Sequence, residues 1–234
     1  MVPALHAAGL RTFAYDQRGY APGARPDDVA AYAVPEAAAD AVAILDELGL
    51  DRVDLIGHDW GAVVSWVVAA LHPERVRTLT AISVPHPKAL LLAMRVRPTQ
   101  RARFLYFQVF RTPVSERLLS AGNSRVLRTM LSPIGDRAGR YVEAMRDRAR
   151  LTGGLNWYRG LNGKDLAAVG TITVPTTYIW SDRDGVVART AALRTRDWMD
   201  GDYRFVVLRG ISHWVPEQAP GPVADAILAR IQGV

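Results

Sequence analysis

Five residues, Gly57-His58-Asp59-Trp60-Gly61, constrain this chain more than any other stretch. Residues 53–56 before them read as a buried strand, and residues 62–71 after them are apolar all round, as in a buried helix. A chain that passes directly from such a strand into such a helix turns so sharply that a Cβ on either flank meets the neighbouring element, and glycine is the residue that avoids this. Gly57 and Gly61 occupy those flanks and leave Asp59 at the apex. Gly-x-Asp-x-Gly is the carboxylate form of the Gly-x-Ser-x-Gly turn that lifts a nucleophile above a sheet, and strand-turn-helix is the setting that turn requires. The simpler alternative is an acidic N-cap on a core helix.

With 234 residues, 49% of them hydrophobic, the chain can bury one large core, or one core carrying an insertion. It has no cysteine, which excludes disulfides, thiolate metal sites and a cysteine nucleophile. No leader-like start and no run of 18 apolar residues is present, so a soluble, cytoplasmic protein is expected, with no membrane partner. The net charge of +6 raises the question of nucleic acid. That excess is local: residues 95–150 hold 13 arginines against four acidic residues, and the rest of the chain is slightly acidic. These arginines are spread along helix-like sequence without interleaved stacking aromatics, so no nucleic-acid partner is expected.

In chain order, residues 1–10 read as a helix end closed by Gly9, and residues 11–15 as a buried strand. A glycine- and proline-marked loop follows at 16–23, whose Arg18 serves either the site or a surface ion pair. A helix over 35–48 precedes the turn, and a strand over 76–82 comes after its helix. Residues 89–168 have helical periodicity and no convincing strand. Strands resume over 173–180 and 203–208, with helices over 188–199 and 222–232. Strict alternation of strand and helix implies an α/β fold with a mostly parallel sheet flanked by helices. The expected core is 1–85 with 170–234, and the expected inserted helical cap is 86–169.

Asp59, Asp184 and His213 each follow the carboxyl end of an expected parallel strand, the edge at which open α/β sheets bind ligands. Their order is nucleophile, acid, histidine. His213 is the expected base, since His6, His58, His72 and His86 fall in a surface helix, inside the turn pointing away, in a proline turn and at the cap hinge. Asp184 is favoured over Asp182 as the acid because it stands further out on its loop, before Gly185-Val186-Val187. A carboxylate nucleophile is informative in itself. Serine attacking saturated carbon would leave an ether that water does not cleave at a useful rate, whereas a carboxylate leaves an ester that a histidine-activated water can hydrolyse. The expected substrate is therefore a small apolar molecule with an electrophilic sp3 carbon, an epoxide or an alkyl halide.

Four motifs together resemble the epoxide hydrolases of the α/β-hydrolase superfamily: Gly57-His58-Asp59-Trp60-Gly61, Asp16-x-Arg18-Gly19-Tyr20, Leu155-Asn156-Trp157-Tyr158-Arg159, and Ser212-His213-Trp214-Val215-Pro216-Glu217. The resemblance implies the α/β-hydrolase fold, no cofactor, and an Asp59 nucleophile relayed by Asp184 and His213. It further implies that Tyr158 gives a proton to the epoxide oxygen, that the Trp60 backbone N–H is an oxyanion donor, and that Trp60, Tyr106 and Trp157 contact the substrate. Two departures stand out. Arg103 occupies the place of a second cap tyrosine, with Tyr106 as a substitute nearby. The family's first three strands and His-Gly-x-Pro loop have no counterpart upstream of Val2, which leads to the expectation of a longer natural chain and poor activity for this one. The alternatives are a haloalkane dehalogenase sharing Asp59 and Trp60, and a non-catalytic or truncated member of the fold. A homodimer is left open.

Overall fold

The computed structural model describes residues 1–233, which divide into two compact units: residues 1–13, 34–103 and 163–233, and residues 14–33 with 104–162. The stretch expected to form the cap is thus shared. The helices Pro87–Val96, Pro98–Arg103 and Gly163–Ala168 belong to the first unit, and residues 104–162 to the second.

The first unit is built on a parallel sheet of four strands, β1 (Val53–His58), β2 (Val76–Ile82), β3 (Thr176–Ser181) and β4 (Tyr203–Leu208), lying side by side in that order. Ladders run from Asp54 against Thr78 to His58 against Ile82, and from Thr176 against Tyr203 to Ser181 against Leu208. The two inner strands are buried almost throughout, as a parallel sheet covered on both faces requires. β1 and β4 form the edges and are only half-buried. The Trp60–Leu71 helix buries every residue from Ala62 to Ala69, and its Trp66 donates the indole N–H to the Val84 carbonyl at 3.1 Å. On the Pro220–Ile231 helix, Val223 and Ile227 close a cluster with Leu5, Ile82, Ile179 and Val215. The same helix buries Arg230, whose guanidinium is satisfied by the Thr177 hydroxyl, the Thr176 carbonyl and Asp202.

One expected strand is absent. Residues 11–15 form no ladder and are largely exposed, Phe13 to 60%. Apolar alternation makes a segment fit a sheet, but backbone N–H and C=O groups need a neighbouring strand, and none among the described residues pairs with this one. β3 also starts at Thr176 rather than 173, with Ile172 making only an isolated bridge to Met199. The helix expected over 188–199 tightens into a 3-10 turn after Arg194.

The second unit is helical apart from its loop. Its core joins Phe110, Leu119, Leu151 and Leu155, with Tyr106, Val126, Met145 and Tyr158 packed around them. The Arg148–Gly160 helix lies directly on the 14–33 loop, and glycine permits the approach: a Cβ at Gly153 would stand 2.4 Å from the Gly19 carbonyl oxygen. Gly19 itself has a φ of +87°. Asp147 caps this helix and pairs with Arg25 at 2.7 Å. Among the described residues no helix is long and apolar enough to cross a membrane.

Replacing Gly153 with alanine forces the loop off the helix. The expected cost is about 1–3 kcal/mol of stability, read as a lower denaturation midpoint and faster proteolysis within residues 14–33. An unchanged midpoint would contradict the close packing.

Candidate active site

The site begins with the turn after β1. Asp59 has φ 52° and ψ −121°, a conformation that an L side chain rarely adopts. The surroundings enforce it: a Cβ at Gly57 would stand 2.3 Å from the Gly61 carbonyl oxygen and 2.4 Å from the Ser65 hydroxyl. The helix therefore folds back against the strand, and the Asp59 carbonyl accepts the Ala62 and Val63 N–H groups as the first helical bonds. With its main chain committed in this way, the Asp59 carboxylate projects beyond the carboxyl end of β1.

His213 meets it there. Its Nε2 stands 3.0 Å from Asp59 Oδ1, and its Nδ1 stands 2.9 Å from Asp184 Oδ2. The three groups differ in exposure: the Asp59 side chain is 38% exposed, that of His213 8% and that of Asp184 not at all. Only the carboxylate at the turn has room for a ligand. Both loops that deliver the partners are laced together. Asp182 N–H donates to Leu208, Arg183 N–H to Ile211, and the Ser181 hydroxyl to the Ser212 carbonyl at 2.7 Å. Asp182, the other candidate acid, accepts the Gly210 N–H at 2.7 Å and braces the loop. The geometry thus separates the two aspartates.

Burial draws the His213 pKa down, but hydrogen bonds to the Asp184 and Asp59 carboxylates outweigh it and push the value up to about 10. Burial likewise opposes ionisation of Asp59, and the His213 hydrogen bond and charge, with smaller help from His58 and the Trp60 backbone N–H, hold its pKa below the usual value. At neutral pH the resting site is an imidazolium between two carboxylates. Loss of charge from Asp59 removes one of the two groups that keep His213 protonated.

His58 does not point away, contrary to the expectation from sequence. Its Nε2 lies 2.9 Å from the His213 backbone carbonyl, which can only accept, so Nε2 carries the proton. Burial lowers the His58 pKa, favouring that neutral form. Ser83, fully buried with φ 67°, donates its hydroxyl to the same carbonyl at 2.8 Å, and its own carbonyl accepts the Tyr178 hydroxyl at 2.7 Å. These two supports of His213 escape sequence reasoning: neither has a motif beyond the turn itself, and Ser83 follows β2 as an ordinary loop residue.

The remaining predicted site residues lie in the second unit, apart from Trp60, which opens the helix after Asp59. Tyr158 stands among aromatic rings, with centroids 4.8 Å from Phe107, 4.9 Å from Phe110 and 6.0 Å from Tyr106. Trp157, expected to contact substrate, is wholly buried, with its indole N–H donated to the Arg18 carbonyl at 2.9 Å. It holds the loop to its helix and has no surface to offer a ligand here. Arg18 in turn bonds the Ala31 carbonyl, a structural use of its guanidinium. Arg103, in the first unit, donates to the backbone carbonyl of Asp184. Among the described residues no group of three His, Asp or Glu side chains could hold a metal ion.

Residues 1–220 match a protein family described as having the alpha/beta hydrolase fold. The chain belongs to that family. It is 33% identical to "Epoxide hydrolase A" of Mycobacterium tuberculosis, an alignment covering all of this chain and 85% of the relative. It is 32% identical to "AB hydrolase superfamily protein YfhM" of Bacillus subtilis, over 96% of this chain and 82% of that protein. Among solved structures, Epoxide Hydrolase A from Mycobacterium thermoresistibile superposes with a TM-score of 0.85 at 29% identity, over 99% of this chain and 85% of the other. The hydrolase fold and the epoxide-hydrolase resemblance read from the motifs are thus both found among the relatives.

Asp59→Asn removes one of the two carboxylates on His213, so the His213 pKa is expected to fall from about 10. Imidazole ring resonances followed by NMR through a pH titration measure this directly. A wild-type His213 titrating at the same pH as in the variant would contradict the shared proton.

Proposed function

We propose that the protein is an epoxide hydrolase, opening a small apolar epoxide to a vicinal diol through an ester on Asp59. The observation that carries this reading is a carboxylate, not a hydroxyl, at the exposed apex of the turn, 3.0 Å from a histidine. The names borne by the relatives support it independently.

An Asp59 oxygen attacks one epoxide carbon, the carbon–oxygen bond breaks, and the departing oxygen takes a proton. Tyr158 is assigned that donation on its Asn-Trp-Tyr-Arg motif, because an alkoxide is a poor leaving group unless an acid meets it. The resulting ester is neutral. His213 then loses the Asp59 charge that raised its pKa and gives up its proton through solvent, which restores the proton that Tyr158 donated, and the neutral imidazole is able to take a proton from water. The hydroxide formed adds to the ester carbonyl, and the oxygen that becomes negative faces the Trp60 N–H, already a donor to this carboxylate in the resting state. The carbonyl re-forms, the diol oxygen leaves with the proton held by His213, and Asp59 retains one oxygen from water, its carboxyl proton passing to His213 to restore the resting pair. Asp184, buried and bonded to Nδ1, keeps the imidazole aimed and balances its charge. Tyr106 is proposed as a substrate contact in the second unit. The reaction needs no cofactor, and the proposed setting is the cytoplasm, as monomer or homodimer.

Assays with styrene oxide and 1-chlorobutane, following diol and chloride, test the reading: diol without chloride is expected. Chloride release without diol would make the protein a haloalkane dehalogenase, and neither product would make it a non-catalytic member of the fold. Tyr158→Phe is expected to slow ester formation roughly 10²–10⁴-fold, as for a lost general acid, with the fold intact by circular dichroism. An unchanged rate would move the acid elsewhere.

A further inference from the structure

The loop that carries Asp184 is held by a side chain that no motif contains. Gln100, on the Pro98–Arg103 helix, is completely buried, and its amide clasps two backbone groups in the far half of that loop. Its Nε2 donates to the Val186 carbonyl at 2.9 Å, and its Oε1 accepts the Ala188 N–H at 2.8 Å. The amide orientation is dictated by its partners, since a carbonyl can only accept and a backbone N–H can only donate.

Just ahead of those anchors the chain folds back on the Asp184 carboxylate. Oδ1 accepts the Val186 N–H at 2.7 Å and the Val187 N–H at 2.8 Å, while Oδ2 is left for His213 Nδ1. Which oxygen faces the histidine is therefore decided by where the two N–H groups stand, and the Gln100 amide fixes one of them directly, since the Val186 carbonyl it holds belongs to the same planar peptide group as the Val187 N–H. Gly185 is exposed, whereas Val187 and Ala188 beyond it are buried, and the Trp180 indole N–H also donates to the Val187 carbonyl at 3.3 Å. Arg103, one turn further along the same helix, bonds the Asp184 carbonyl.

We propose that Gln100 is a positioning residue for the relay acid, acting through the 184–188 loop to hold Asp184 Oδ2 on His213. This rests on the hydrolase reading above for its kinetic consequence, though not for its structural one. Ester formation needs the Asp59 carboxylate and a proton donor, and ester hydrolysis needs an aimed, chargeable His213. Loosening Asp184 falls on the second step. A misplacement of about 1 Å at such a group costs on the order of 10²-fold.

Gln100→Met keeps the volume and removes both hydrogen bonds. With styrene oxide in single turnover, ester formation is expected to stay within a few-fold of wild type while ester hydrolysis slows roughly 10–100-fold, so the Asp59 ester accumulates and KM falls with kcat. The apparent pKa of the hydrolytic step is expected to move down, because His213 loses part of the hydrogen bonding that raises it. In the substrate-free protein, the downfield Nδ1 proton resonance of His213 is expected to weaken or shift. Equal slowing of both steps with an unmoved pH profile and an unmoved Nδ1 resonance would overturn the proposal. Should Gln100→Met fail to fold, Gln100→Glu, which still accepts from Ala188 but cannot donate to Val186 when ionised, is read in the same way. If neither variant folds, Gln100 is a folding residue and the proposal is wrong. A wild-type protein that never forms an ester defeats the hydrolase reading, and the Nδ1 resonance then still decides whether Gln100 positions Asp184.

Discussion

The structure of the site depends on one crowded contact, the back of the Trp60–Leu71 helix against the end of β1. Because the backbone of Gly61 and the hydroxyl of Ser65 lie where a Gly57 side chain would be, the chain between strand and helix has no relaxed route, and Asp59 takes a φ of 52°. Such a conformation is stable only when its surroundings over-determine it. Here they do: the strand is laddered to β2 through His58 and Ile82, and the helix is buried along eight consecutive residues. Packing energy spread over the sheet and helix is thus used locally to hold one carboxylate out of the core.

The electrostatics follow from that placement. Two carboxylates converge on one imidazole, and in the proposed mechanism the outer, partly exposed one is the group that reacts. The charge of Asp59 keeps His213 protonated while the nucleophile is free, and esterification of Asp59 cancels that charge at the stage when a base is needed. Burial of Asp184 and partial exposure of Asp59 give the two aspartates different roles from the same side chain. The proton holder is in turn supported from behind, by His58 and Ser83 on its carbonyl and by the Gln100-braced loop on its acid.

Much of this is legible in the residues. The turn, the alternation of β1 to β4 with helices, and the meeting of Asp59, Asp184 and His213 all follow from local patterns that the parallel topology converts into proximity. The strand expected over 11–15 fails because its pattern speaks only of side chains, and a strand exists only where another backbone pairs with it. Trp157 shows a related limit: a motif names the residue, but its buried indole donates to the Arg18 carbonyl, and no spacing reveals which of two adjacent aromatics turns inward. The boundary of the second unit is equally hidden. The Pro87–Val96 helix has cap-like sequence, yet His86, buried against Gly170 and stacked on Trp198, ties its start to the first unit. Gln100, Ser83 and His58 act through backbone carbonyls and N–H groups, which carry no sequence signal at all.

If Asp59 forms a covalent ester, the fate of a single oxygen atom shows it most directly. With enzyme in excess over styrene oxide in heavy-oxygen water, one turnover should place the label in the peptide containing Asp59 and leave the first diol unlabelled, because water adds to the ester carbonyl carbon. Label in the diol and none in that peptide would mean that water opens the ring directly, and the reading of Asp59 as nucleophile would be wrong.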